Sequence, residues 1–287
     1  MEGQATAPTA ISVVNAIPAG RGAAMAIDRH LTATVHLDPE SSMVTASTAE
    51  DRDLDLTLIE ECVTATTERY GSGEGGHVET STTVPHAVGL KTSSAAANAT
   101  IVATLDALGV WSETDPMEAL LLGVEVARAV GVTVTGALDD AAASMFGGLV
   151  ITDNDDDAIL DRQRVDGSVV ISIPDSRQPS GSVDVAALEA VGPIGDLAAD
   201  LAIDGRWELA MAVNGMAVGV ALDHDLTPIE MALEHTPSVS ISGTGPAIAA
   251  IGVPTVIEAI TDRWQVDGSV VHAELTAEGT VPSTGDE

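Results

Sequence analysis

The chain has 287 residues and sets 44 Asp and Glu against 11 Lys and Arg, a formal charge of −33 with histidine neutral. That balance excludes a nucleic-acid-binding role, which needs clustered Lys and Arg to displace counterions, and 45% hydrophobic residues supply a real core and exclude a disordered chain. One Phe, one Tyr and three Trp leave Ala, Val, Leu and Ile to fill that core; an acidic, lysine-poor surface over it resembles proteins of salt-accumulating halophiles, where molar salt screens the self-repulsion.

Residues 9–14 (TAISVV) and 27–37 (IDRHLTATVHL) are rich in β-branched side chains with partial alternation. They predict two strands joined by a loop at Gly20 and Gly22, with a third short strand over 43–48. Leu54, Leu58, Ile59, Cys62 and Thr66 recur at helical spacing and predict a helix over 53–69. Cys62 is the single cysteine, which excludes an intramolecular disulfide and a Cys-based zinc cluster; it reads as a buried helix residue. GSGEGG at 71–76 reads as a turn or mobile loop, followed by a strand over 78–84.

GLKTSSAAANAT is a glycine loop that runs into an alanine-rich helix over 93–108. Asp115, Pro116 and Glu118 mark the cap and first turn of another helix reaching 130. TGALDDAAASMFGG holds a short helix between glycines and leads into a strand over 147–152. The acidic run at 154–157 reads as a solvated turn, because it lacks the alternating oxygens and central glycine of a calcium loop.

A strand over 168–173 and a polar loop precede helices at about 184–190, 194–204, 206–222 and 228–234. VSISGTGPAIAAIG at 239–252 reads as strand, glycine turn and apolar segment; a helix over 254–264 and a strand over 268–275 precede a frayed tail. Strands and helices mix without regular βα repeats, which predicts an α+β fold. A boundary near 155–165 divides two lobes, 1–160 and 161–287. The longest apolar stretch, 209–222, is interrupted by Asn214 and too short to span a membrane. The N-terminus lacks a basic region followed by an apolar run, so a cytoplasmic location and no membrane partner are expected. The sequence carries no mark of oligomeric state.

Three segments carry chemistry. In GLKTSSAA (89–96) a glycine permits close backbone approach, successive N–H groups open a helix, and Ser93 and Ser94 add hydroxyls; this is either an anion site or a plain Ser/Thr helix cap. The only lysine of the chain, Lys91, lies inside it, which favours phosphate. It is neither a Walker loop nor a dinucleotide fingerprint. In TGALDDAAASMFGG, Asp139 and Asp140 stand at a helix start that stabilises ionised carboxylates; they are either solvated acids or groups that orient and deprotonate a hydroxyl or bind a cation. Glu125 is the single acid of a largely apolar helix, either a surface residue or a ligand. SGTGPAIAAIG (242–252) either closes one wall of a ligand site or makes a tight turn. Seven histidines show no metal-ligand spacing.

Together, in this order, TAISVVNAIPAGRGAAMAIDRHLTATVHL, GLKTSSAAANAT, TGALDDAAASMFGG and SGTGPAIAAIG resemble the GHMP kinase superfamily, most closely its archaeal shikimate kinase branch. The resemblance spans nearly the whole chain. It implies a two-lobed GHMP kinase fold, with an N-terminal lobe like ribosomal protein S5 domain 2 and a ferredoxin-like C-terminal lobe. It also implies phosphorylation of the 3-hydroxyl of shikimate by ATP and Mg²⁺, a step in chorismate and aromatic amino acid biosynthesis.

Carried over by residue, the resemblance implies that Gly89, Leu90, Lys91, Thr92, Ser93 and Ser94, flanked by Pro85 and Ala95, wrap the triphosphate. Ser94 and Glu125 face Mg²⁺, Asp140 takes the place of the catalytic aspartate with Asp139 one position away in an alternative register, and Lys91 reaches a phosphate oxygen. Arg21 is the expected partner of the substrate carboxylate. Asn15, Asp28, Asp139 and the Gly243, Thr244, Gly245 turn are expected on the substrate side. A kinase for homoserine or a mevalonate-type acceptor, and a non-catalytic nucleotide-binding protein on the same fold, are the competing readings.

Overall fold

The computed structural model describes residues 1–49, 54–84, 88–174, 183–264 and 268–283. β1 (Glu2–Val14) and β2 (Arg21–Asp38) form a long antiparallel pair whose alternating and continuous apolar runs bury both faces near the centre. β2 is long enough to serve two further neighbours. Its first residues pair with β5 (Leu149–Asp153) and its last with β4 (Gly75–Thr82), while β3 (Val44–Thr48) lies parallel to β4 across α1 (Thr57–Tyr70). β6 (Ala158–Gln163) extends the sheet beyond β5, and β11 (Val281–Pro282) returns to pair with β1.

α2 (Thr92–Ala107) covers this sheet with almost every residue buried, which its alanine-rich sequence permits because small side chains let a helix approach a sheet closely. α1, α3 (Pro116–Ala129) and α4 (Leu138–Phe146) pack around it. Asp115 caps α3 as expected, accepting from the Met117 N–H. Cys62 is buried in α1, and burial pushes its thiol up to about 12, which removes it from nucleophilic chemistry.

The second lobe runs through β7 (Ser168–Pro174), α5 (Val185–Glu189), α6 (Gly192–Ile203), α7 (Trp207–Ala221), α8 (Thr227–Leu233), β8 (Val239–Ile241), β9 (Ile248–Gly252), α9 (Pro254–Arg263) and β10 (Gly268–Glu274). Its antiparallel sheet has the order β10-β7-β9-β8, the arrangement of a ferredoxin-like lobe. Ile11, Val13 and Met25 of the first sheet share one buried cluster with Val169, Ile171 and Met211 of the second lobe, so the lobes meet through a continuous core. The apolar stretch 209–222 lies mostly in α7, and among the described residues no helix is long and apolar enough to cross a membrane.

Four local expectations change. Residues 158–163 form a strand that their weak alternation did not announce, and the apolar segment after the glycine turn is β9. Gly75 and Gly76 of the expected turn open β4, and residues 281–282 of the expected frayed tail pair with β1. β4, β9 and β11 are fixed by partner strands distant in sequence, and β6 by its hairpin with β5; pairing is not contained in the local pattern of one strand.

Candidate active site

A cleft of about 660 Å³ opens where the N-termini of α2 and α4 meet the β8–β9 turn. Lys91 precedes α2 in the left-handed conformation, and no side chain caps that helix, so its first N–H groups are available to an anion. The Thr92, Ser93 and Ser94 side chains line the cleft beside them. Three segments distant in sequence hold this loop in place. Ser242 Oγ donates to Gly89 O (2.6 Å), the Ser12 N–H donates to Ser242 Oγ (3.2 Å), and the Gly243 N–H donates to Ser12 Oγ (2.9 Å). Asn15 Nδ2 donates to Gly243 O at 2.9 Å, and the ring of His224 bonds Thr244 O at 2.9 Å.

Gly89 is required at its position. Its φ is +91°, and a Cβ there would stand 2.1 Å from Ser242 O. Gly89→Ala is therefore expected to separate the phosphate loop from the β8–β9 turn. ATP affinity measured by calorimetry should fall about tenfold or more, with a Tm lowered by several degrees; a variant that binds ATP normally contradicts this packing.

The chemistry centres on Lys91 and the two acids. Lys91 Nζ donates to Asp140 Oδ2 at 2.8 Å, with side chains only 10% and 13% exposed. Asp140 Oδ1 is buried and has no hydrogen-bond partner among the described residues, so one carboxylate oxygen is held and the other is unsatisfied. Burial, and then the neighbouring Asp139 carboxylate, push the Asp140 carboxyl up to about 7 against the opposing pull of the Lys91 ammonium. Asp139 is equally enclosed and accepts from Asn154 Nδ2 at 3.0 Å. These are not solvated acids. A carboxylate with one free oxygen, beside an ammonium with donors to spare and an uncapped helix N-terminus, is equipped to hold a hydroxyl against a phosphate.

The structure brings together Asn15, Gly89, Lys91, Thr92, Ser93, Ser94, Asp139, Asp140, Gly243, Thr244 and Gly245 along this cleft. Leu90 and Ala95 are buried in the core and serve the loop only through its backbone position. Pro85 lies outside the described residues.

Three expected residues are elsewhere. The Arg21 guanidinium is taken by Asp196 Oδ1 (2.7 Å) and Asp200 Oδ1 (2.8 Å) on α6, so it ties the lobes together and does not face the cleft. Asp28 sits where two residues of β2 bulge out of register between Ile27 and His30; its side chain turns toward β10 and accepts from the Glu274 N–H. Glu125 is exposed, because the cleft side of α3 carries Gly123, Val124 and Ala127, and the next residue points about 100° away.

Residues that local pattern did not single out complete the site. Asn98 Nδ2 donates to Ala141 O (2.8 Å), which clamps α2 to α4, and its Oδ1 is buried without a partner among the described residues. Ser12, Thr135 and Asn154 belong with it; Ser12 and Asn98 offered only the signal of a polar residue inside an otherwise apolar strand or helix, and Thr135 and Asn154, in a loop and a turn, offered none of their own. The acidic run at 154–157 is partly structural, since Asn154 is buried and Asp157 pairs with Arg128.

Comparison with known proteins decides the family. Residues 57–148 match the family described as GHMP kinases N terminal domain. The chain is 46% identical over 276 residues to a shikimate kinase of Halobacterium salinarum, covering 96% of this chain and 97% of the relative. The chain belongs to the archaeal-type shikimate kinases of the GHMP kinase superfamily. Similarity persists at 39% identity over 286 residues with a shikimate kinase of Methanosarcina mazei, covering 98% of this chain and 97% of the relative. Among solved structures, homoserine kinase from Cytophaga hutchinsonii superposes with a TM-score of 0.73 at 16% identity, covering 98% of this chain and 97% of that one. Methanococcus jannaschii mevalonate kinase superposes with a TM-score of 0.69 at 11% identity, covering 96% and 98%. These two establish the fold. The Halobacterium relative agrees with the halophilic reading of the charge.

Proposed function

We propose that the protein transfers the γ-phosphoryl group of ATP to the 3-hydroxyl of shikimate, giving shikimate 3-phosphate and ADP, in the cytoplasm. The observation that supports the acceptor's identity is the 46% identity to a shikimate kinase over almost the full length of both chains. Residues 1–160 supply the ATP-binding lobe and 161–287 the lobe that carries the glycine turn at 243–245.

The α2 N-terminus and the Ser93 and Ser94 hydroxyls hold the phosphate oxygens. Lys91 keeps its bond to Asp140 and directs a further ammonium hydrogen to the transferring group. Asp140 Oδ1 accepts the proton of the 3-hydroxyl as that oxygen forms its bond to phosphorus, and the electron pair of the breaking P–O bond leaves with ADP. The cleft fits a nucleotide-bound Mg²⁺, which needs few protein ligands beyond phosphate oxygens and water; the Ser94 hydroxyl would hold it, and it would neutralise phosphate charge. Glu125 is not part of that set.

The test is ATP turnover in molar KCl with shikimate, homoserine and mevalonate in parallel. Shikimate is expected to be preferred by at least about a hundredfold; equal or greater turnover with another acceptor, or none with shikimate, overturns the assignment. Because the ionised form of Asp140 is the active one, kcat/KM for the acceptor should be lost as pH falls through an apparent pKa near 7 and should level off above it. A profile flat from pH 5.5 to 8.5 contradicts this role.

A further inference from the structure

Asp139 and Asp140 are adjacent like charges on the first turn of α4, yet they are held by opposite means. Asp140 has an ammonium, whereas Asp139 has a neutral amide from the β5–β6 turn. That amide belongs to Asn154, which is 3% exposed and whose polar groups all have partners. Its Oδ1 accepts from Thr152 Oγ1 at 2.6 Å, which fixes the amide orientation and turns Nδ2 to Asp139 Oδ1 (3.0 Å) and Thr135 Oγ1 (3.2 Å). Its backbone N–H donates to Gly20 O (2.8 Å), and its carbonyl accepts from Arg128 Nη2 (3.1 Å).

The same Arg128 forks onto both oxygens of Asp157 at 2.7 Å and donates to Thr135 O at 3.1 Å. Thr135 is thus held from both ends, and it belongs to the 131–137 loop that walls the cleft. Gly22 lets this assembly close, because a Cβ there would stand 2.6 Å from the Asp139 carboxylate.

We propose that Asn154, braced by the Arg128–Asp157 pair, is a positioning residue that sets Asp139 and the 131–137 loop to receive the acceptor. The inference rests on reading this cleft as the acceptor site. It gives the turn at 153–157 a function that its composition disguised. It also divides the labour of the two acids: Asp140 Oδ1 faces the reacting hydroxyl, and Asp139, with one oxygen occupied, offers the other to a second acceptor hydroxyl. An acceptor with adjacent hydroxyls fits that pair. Arg128 and Asp157 are each more than a third exposed, so molar salt screens their charge, and what it leaves is the bidentate hydrogen-bond geometry.

The test combines steady-state kinetics with amide hydrogen exchange of residues 131–137 in the substrate-free protein. Asn154→Ala is expected to raise KM for shikimate about tenfold, lower kcat less than that, leave KM for ATP within about twofold and speed exchange of the loop. Asn154→Asp should be worse than Asn154→Ala, since it sets a carboxylate against Asp139; a role in packing alone gives the reverse order, because Asp is the isostere. Arg128→Lys, which loses the fork but keeps the charge, should move exchange and the acceptor KM in the same direction. Unchanged exchange, a rise in KM for ATP matching that for shikimate, or the reverse order of the Asn154 variants overturns the proposal. If the unmodified protein does not use shikimate, the functional reading fails, and loop exchange still decides whether the brace exists.

Discussion

Asp140→Asn is expected to lower kcat by about 10²- to 10⁴-fold, the range for loss of a positioned general base. ATP affinity should stay within about threefold, because the side chain addresses the acceptor hydroxyl, and the nucleotide is held mainly by the α2 N-terminus and its hydroxyls. The substitution keeps the shape of the side chain but removes the carboxylate charge that Lys91 pairs with. An interaction that strengthens only as the hydroxyl loses its proton appears in kcat and not in ground-state binding. Turnover in molar KCl and ATP titration by calorimetry check the two halves separately. A kcat within about threefold of the parent would falsify the role of Asp140 and return attention to Asp139.

Lys91→Ala is expected to act twice. Loss of an ammonium aimed at the transferring phosphoryl group should lower kcat by about 10²- to 10³-fold, comparable to removing one donor from an oxyanion site. The substitution also removes the positive charge that pulls the Asp140 carboxyl down, leaving burial and Asp139 to push it above its present value of about 7. The ionised, active fraction at neutral pH then falls further. The acidic limb of the rate profile should accordingly move to higher pH, and part of the lost activity should return at pH 8.5 to 9. A reduced rate with an unmoved limb would show that Lys91 addresses phosphate alone; an unchanged rate would remove it from the reaction. An uncompensated buried carboxylate is costly, so the variant protonates Asp140 sooner than it carries a bare charge.

The proposed phosphate loop was legible because its determinants are local: a glycine, the single lysine, a run of Ser and Thr, and an alanine-rich helix with no acidic side chain in its first turn. Asp139 and Asp140 were recognisable for a similar reason, although their burial was not, since what encloses them comes from α2, from the β5–β6 turn and from Gly22. Arg21 was misplaced by the same limitation. Beside two glycines it looked like a free cation, and only folding brings Asp196 and Asp200 against it from α6. Asp28 was turned out of the site by a bulge, and a bulge is a property of two strands in register. Glu125 failed on helical phase, one residue off the cleft face of α3.

By itself, the sequence determined the acidic, nucleic-acid-excluding surface, the α+β class, the helices with strong periodicity or caps, and the three glycine-rich segments to which the chemistry is assigned. These follow from composition and from interactions within a few residues. The tertiary structure decided which oxygen of Asp140 is held by Lys91 and which is buried without a partner, which arginine pairs with Asp157 and which ties the lobes, and that Asn154 bonds Asp139 from an acidic turn. The physical reason is that charge pairing and burial act through distance in space, and a carboxylate's environment is set by whatever the fold packs against it. The scarcity of basic residues made Lys91 conspicuous; its 2.8 Å contact with Asp140 joins the proposed phosphate loop to the acid proposed to face the acceptor.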